Sequence, residues 1–366
     1  MENTVLFQYF VSSISDPRQE TKVLYPLDEI LLLSLCGVVS GCESFVDVAL
    51  YGEEKLDFLR KLAPFEHGIP SHDTLSTVFR ALDPEEFNTA FAAWASGLAG
   101  RVGGTVVAID GKTARGSKAG GETPLHLISA WCNDLRLVLG QQASAHKKNE
   151  IKDIPVLLDL LSLEGAVVTL DAMGCQREIA RKIRDKGADY VLALKGNQGL
   201  LYEDVKLWFE EQDQENTELL QTVDGDKGRI ETRTYTQCDA IDWLKNRHPQ
   251  WEGLASIGRV VSLRESGGKT TRQTRYFISS LPKDTARFAN AVRSHWGIEN
   301  RLHWVLDVTF RDDDSRVRKD HAPANFAVIK HIAMNLLNKA KSKHSLRGMR
   351  KKAGWNNRFL LQILAA

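Results

Sequence analysis

Three acidic residues occupy positions that a folded chain normally fills otherwise. Asp110 ends the apolar run Thr105-Val106-Val107-Ala108-Ile109, and Asp171 ends a second, Ala166-Val167-Val168-Thr169-Leu170. Glu299 falls on the apolar stripe expected for a helix through Trp296-Gly297-Ile298-Glu299-Asn300. A carboxylate near a core is costly unless its charge is compensated. Three that converge would repel one another and raise their own pKa values. A divalent cation relieves both costs, and carboxylate oxygens suit Mg²⁺ or Mn²⁺. Two such ions, roughly 3.5–4 Å apart, can clamp an in-line displacement at phosphorus with no covalent protein nucleophile. The expectation is metal-dependent phosphoryl transfer.

Each residue also has a plainer reading. An Asp after a strand is often a turn or helix-cap residue. Asp110-Gly111 alone could be a turn, and Asp171-Ala172-Met173-Gly174 a loop. The two aspartates and the misplaced Glu299 gain specificity together. Other phosphate chemistries are excluded by spacing. Gly111-Lys112-Thr113 lacks the leading glycine of a P-loop, since that position is Val106. An aspartyl-phosphate phosphatase would place a second Asp at position 112, which is Lys. His295 and His303 do not form an H-E-x-x-H zinc pair.

These carboxylates need elements to hold them. The 366-residue length suggests two domains, or one with a large insertion. With 43% hydrophobic and 26% charged residues the composition is that of an ordinary globular protein. Residues from about 8 to 98 read as helices, including Leu27–Val39 and helices capped by Ser71 or Asp73 and starting at Asp83-Pro84. They form a small all-α module over 1–98, in which a helix-turn-helix with Thr74–Arg80 on DNA competes with plain helical packing. After Gly97–Gly104 the pattern changes to an α/β one. Val106–Ile109 is a strand, and Leu125–Trp131 and Leu135–Gln141 form a hairpin across Asn133-Asp134. A helix after Asn149, a strand at Val167–Leu170, a helix from Gln176 to Lys186 and a strand at Tyr190–Leu194 follow. The expected core is a mixed sheet with flanking helices over 99–340, interrupted at about 200–282. The interruption begins with an acidic helix, Glu203–Gln221, and continues as antiparallel strands at Thr232–Tyr235, Ala255–Leu263 and Thr274–Ser279. The Glu299 helix begins near Asp284, with Phe288, Val292, Trp296 or His295, Glu299, Leu302 and Leu306 expected inward.

Charge and cysteine usage narrow the partners. Net charge is +1, yet the 46 residues after Asp320 carry nine Lys and Arg and no acid. A basic stretch in a neutral chain is an electrostatic footprint for a polyanion, although it also suits a solvated tail. Its final part, 341–366, includes Arg347 and Arg350 among apolar residues such as Trp355 and Phe359. Five scattered cysteines without a C-x-x-C pair fit reduced thiols in a cytoplasmic protein. The start Met1-Glu2-Asn3-Thr4 is unlike a signal peptide, and the apolar stretch Ile30–Val39 is too short to span a bilayer.

The blocks around the three acids resemble a known family. Val106–Lys112 looks like the first-aspartate strand of insertion-sequence DDE transposases, Val168–Gln176 like the second, and His295–Val308 like the glutamate helix. The chain is most similar to the H-repeat-associated transposases, over nearly its whole length. The resemblance implies a ribonuclease-H-like core, a metal-binding triad of Asp110, Asp171 and Glu299, and DNA transposition by cleavage and strand transfer with two Mg²⁺ or Mn²⁺ ions. A decayed DNA-binding relative, or a nuclease on the same core, are the alternatives. Spacings of 61 (171 − 110) and 128 (299 − 171) fit an insertion before the glutamate. The implied partners are element ends and target DNA, bound by a homodimer on paired ends, at the nucleoid and away from any membrane. Gly228–Arg233 and Tyr190–Gln198 are also similar to family segments, and the expected DNA contacts are Lys112, Lys195, Arg229, Arg233, Arg301, Arg347 and Arg350. The wider class carries Tyr, Arg and Lys around the glutamate where this chain has Val292, His295 and Leu306.

Overall fold

A computed structural model of the chain describes residues 2–118, 123–144, 149–211, 217–226 and 228–366. Five helices lead: α1 (Glu2–Ser12), α2 (Leu27–Val39), α3 (Phe45–Leu59), α4 (His72–Ala81) and α5 (Pro84–Ala99). Their starts follow local chemistry. Ser44 and Asp47 form a reciprocal capping box on α3, Ser71 accepts from Thr74 N on α4, and Asp83 accepts from Glu85 N and Glu86 N on α5. Strands β1 (Val106–Thr113), β2 (His126–Cys132) and β3 (Leu137–Ser144) precede α6 (Glu150–Leu160), β4 (Val167–Leu170), α7 (Arg177–Asp185) and β5 (Asp189–Leu194). Next come α8 (Gly199–Glu211), β6 (Glu218–Asp226), β7 (Arg229–Cys238), α9 (Asp242–Arg247), β8 (Ser256–Ser266) and β9 (Lys269–Ser279). Helix α10 (Thr285–Gly297) runs through a π-helical turn (Ile298–His303) into α11 (Trp304–Thr309), and α12 (Ala322–Lys339), α13 (Leu346–Trp355) and α14 (Asn357–Leu364) end the chain.

The strands form one nine-stranded mixed sheet in the order β3-β2-β1-β4-β5-β9-β8-β7-β6. β1, β4 and β5 are mutually parallel neighbours, and the other pairings are antiparallel. The chain is thus mixed α/β, as expected. The region from about 200 to 282 extends the first sheet, because β9 pairs with β5. It differs from expectation in one way. Its acidic helix ends at Glu211, and residues from Glu218 form β6, paired with β7 over its whole length.

Period-two alternation divides the sheet between two cores. Val107, Val168 and Leu192 join the large cluster that continues through the N-terminal helices, α6, α7, α12 and the final two helices. The N-terminal helices are therefore packed into the same core as the sheet. Val106, Val167 and Val191 point to the other face, where Phe288, Ala289 and Val292 of α10 cover them. Gly258 makes this possible on β8, since a Cβ there would collide with the Phe288 ring. The stretch read as a possible solvated tail is folded, with Met349, Ala353, Phe359, Leu360 and Ile363 buried. No helix among the described residues is long and apolar enough to cross a membrane.

Candidate functional site

The face under α10 collects the acidic residues. β1 runs four residues past Ile109, so Asp110 lies within the strand, opposite Ser129, and does not end it. β4 stops at Leu170, the partner of Ile109, and Asp171 follows it. Asp110 and Asp171 thus stand at equivalent positions along two hydrogen-bonded parallel strands, level with the carboxyl end of β4. Asp171 Oδ1 accepts from Met173 N (2.9 Å) and Gly174 N (3.2 Å), which fixes one carboxylate edge in a tight turn. The loop after β5 braces that turn: Asn197 Nδ2 donates to Ala172 O (2.7 Å) and Gln198 Nε2 to Cys175 O (2.7 Å).

Glu299 enters from the opposite side and departs from its expected placement. The core positions are taken by Ile298 and Leu302, and Glu299 is exposed on the π-helical turn. It lines a cleft of about 240 Å³ with Asp171, Lys195, Arg275, His295 and Trp296. Arg275 lies over the Trp296 ring, 5.6 Å from its centroid, and Trp296 is 41% exposed rather than in the core.

Electrostatics single out Asp110. Burial pushes its carboxyl up to about 7, and repulsion from Asp171, Glu150 and Glu299 adds to the rise, against a backbone hydrogen bond at Gly111. His303 Nδ1 lies 3.7 Å from Asp110 Oδ2. Burial, with neighbouring Lys112, drives that imidazole down to about 3, so it is neutral at physiological pH. His295 is likewise pushed down to about 4 by burial, and its Nδ1 stands 3.0 Å from Thr169 Oγ1. Beneath Gly111, His126 Nε2 and Glu150 Oε1 form a buried pair (2.5 Å), and His126 Nδ1 meets Thr113 Oγ1 (2.9 Å). Among the described residues, no three His, Cys, Asp or Glu side chains already close around a single point as a metal cage would. The donor set nonetheless suits a hard cation: all three ligand candidates offer carboxylate oxygens, and their mutual repulsion is a cost that a cation removes.

The basic residues separate into two groups. Lys195, Arg301 and Arg347 are exposed, and Lys195 is in the cleft itself. Lys112 is spent elsewhere: its ammonium meets Asp307 (2.7 Å), Asp312 (3.2 Å) and Asp313 (3.5 Å). Arg350 is 4% exposed; its guanidinium donates to Val38 O (3.0 and 2.9 Å), Cys42 O (3.2 Å) and Thr309 O, and lies over the Phe310 ring at 4.3 Å. A phosphate cannot reach a side chain so enclosed, so the expected DNA contacts at Lys112 and Arg350 do not fit the fold. Arg229 and Arg233 are half-buried and buried in an ion-pair network with Glu231 and Asp224, which Arg293 joins at 3.2 Å. Sequence reasoning missed Thr169, Arg275, Glu150 and His126 because each is placed by partners distant in the chain. His303 was considered only as a zinc ligand. The one signal was His295, which stands where the wider class carries Arg.

Comparison with known proteins gives the family of the chain. Residues 102–336 match the family model described as a transposase DDE domain, and residues 8–95 match the one described as DDE_Tnp_1-associated. The chain belongs to the DDE transposase family. It is 39% identical to the “H repeat-associated putative transposase YhhI” of Escherichia coli (strain K12), over 97% of this chain and 96% of that protein. It is 40% identical to the “Putative protein YbfL” of the same strain, over 97% and 96% of the two chains. A third relative, the “Putative transposase YncI” of Escherichia coli O157:H7, is 38% identical over 98% and 94%.

Proposed function

We propose that this chain catalyses metal-dependent cleavage and strand transfer at the ends of an insertion-sequence-like element. The observation that carries the reading is the mutual repulsion of Asp110 and Asp171, from neighbouring parallel strands, and Glu299, from the turn that follows α10. The strand order β3-β2-β1-β4-β5, antiparallel then parallel, supports a ribonuclease-H-like core, to which β6–β9 add an extension. On this reading residues 99–340 are the catalytic domain, 1–98 a helical module and 341–366 a basic segment.

Asp110, Asp171 and Glu299 would hold Mg²⁺ or Mn²⁺. When bound, the ions polarise the scissile phosphate and make water or a 3′-hydroxyl a better nucleophile. The residues around them have separable tasks. The Met173 and Gly174 amides hold Asp171 Oδ1, leaving its second oxygen outside that turn. His303, neutral beside Asp110, places no competing positive charge at the site. Lys195 and Arg275, which line the cleft, and the exposed Arg301 would contact phosphates flanking the scissile bond, and the exposed Arg347 would contribute salt-dependent affinity. DNA is the expected partner, with element end and target bound by a homodimer at the nucleoid.

The test is a labelled element end incubated with Mg²⁺ and a target plasmid. Wild-type protein should give joined products, and Asp110→Ala should give none while still retarding the DNA. Cleavage by Asp110→Ala at the wild-type rate refutes the triad. Cut but unjoined products would assign a nuclease, and a shift without either product a DNA-binding relative.

A further inference from the structure

We propose that Glu299 is set in place by a two-point polar clamp, Thr169–His295 on one side and Lys112–Asp307 on the other, which makes these four positioning residues for the acidic site. The inference rests on the proposed role of Asp110, Asp171 and Glu299.

The three acids differ in how the fold fixes them. Asp110 and Asp171 are set by strand register, because Ile109 and Leu170 are paired in the sheet. Glu299 has no such constraint. It rides on a π-helical turn, which is locally unfavourable and persists only where its surroundings impose it. Something must fix its distance from the strands.

The same face of the same strands supplies that. In each strand, side chains two apart share a face. Lys112 is two residues beyond Asp110 on β1, and Thr169 two residues before Asp171 on β4. Thr169 Oγ1 reaches His295 Nδ1 at 3.0 Å, four residues before Glu299. Lys112 Nζ reaches Asp307 Oδ1 at 2.7 Å, eight residues after it. Each aspartate strand therefore grips the glutamate segment once, on either side of the π turn. A steric contact works in the same direction: Gly297 passes so close to Asn133 Oδ1 that any Cβ would collide with it. Lys112 is itself held from behind by Asp312, which Lys330 anchors at 2.6 Å. The clamp uses His295 where the wider class has Arg, so the change of residue need not leave the glutamate untethered.

The test uses the full-length protein and Mn²⁺ alone, with free Mn²⁺ measured by electron paramagnetic resonance and folding by thermal melting. Thr169→Val removes the hydroxyl with little change of side-chain shape, and Thr169→Ser keeps the hydroxyl and loses the methyl. Asp307→Ala opens the other side while leaving Lys112 its two remaining carboxylates. Thr169→Val and Asp307→Ala should each weaken Mn²⁺ binding by about tenfold, with Thr169→Ser close to wild type, as removing outer-shell partners does in metal sites. A loss of melting temperature without a change in Mn²⁺ binding would show a merely structural role and overturn the clamp. If both variants bind Mn²⁺ like wild type while Asp110→Asn abolishes binding, the clamp fails and the triad stands. If Asp110→Asn binds like wild type, the triad fails and the clamp with it.

Discussion

Arg350 offers the sharpest separation of a structural arginine from a DNA-binding one. Replacing it by Ala removes a buried guanidinium that donates to three backbone carbonyls, Val38 O, Cys42 O and Thr309 O, and covers the Phe310 ring. Hydrogen bonds from a charged donor contribute roughly 1.5–3 kcal/mol each. Set against them is the desolvation of a buried cation, itself several kcal/mol. Burial pushes this group down to about 10, so it is still charged at neutral pH. The net loss on truncation is then about 3 kcal/mol, which includes the carbonyls left unpaired and the lost ring contact. With an unfolding entropy of about 2.1 cal/mol/K per residue, the melting temperature should fall by about 4 °C. Differential scanning calorimetry measures this, and DNA retardation across a salt series measures affinity. Arg350→Ala should lower the melting temperature and leave the salt slope of the folded protein unchanged. Arg347→Ala, on an exposed side chain one helical turn earlier, should do the reverse. An Arg350→Ala protein that melts like wild type yet loses DNA affinity would refute the reasoning.

Three further expectations concern the sheet face and its charges. Lys112→Met leaves the partly exposed Asp307 and Asp313 without their shared cation, while Asp312 keeps Lys330, and should cost about 1–3 kcal/mol by chemical denaturation. Burial opposes ionisation of Asp312, but Lys330 and Lys112 outweigh it and hold its carboxyl well below the usual carboxylate range. A depressed acid stabilises the fold above its unfolded pKa of about 4 and loses that contribution as pH falls towards the folded value. Melting temperature against pH should therefore drop below about pH 4 in wild type and more gently in Asp312→Asn; parallel curves would contradict the assignment. Gly297→Ala should displace the glutamate segment and depress end cleavage, and Asn133→Gly in the same chain should recover part of it; no recovery would place the collision elsewhere.

Much of the architecture was legible because it is local. Ser71 and Asp83 cap their helices as their side chains dictate, and Gly187 ends α7 with a positive φ. The hairpin of β2 and β3, and the strands at 167–170 and 189–194, follow from β-branched runs between turn residues. The errors arose where pairing partners decide. β1 outruns its apolar stretch because β2 continues to pair with it as far as Thr113, carrying Asp110 into the strand. Residues 218–221 read as the end of an acidic helix, yet β7 offers them a full ladder of partners. Glu299 read as inward because a spacing of 3.6 admits either it or Ile298, and the π turn leaves Ile298 to the core.

The sequence by itself marked the candidates for the acidic site, since Asp110, Asp171 and Glu299 each stand beside or within an apolar run. It also determined the family, because the blocks around them are contiguous in the chain. The fate of each basic residue was a tertiary decision. Lys112, Arg350 and Lys195 look alike as sequence, but the first meets three aspartates from beyond α10, the second is sealed among backbone carbonyls of α2 and α11, and the third is left facing the cleft. Charge is written in the residue type; whether it faces a partner within the fold or one outside depends on contacts hundreds of residues apart in the chain.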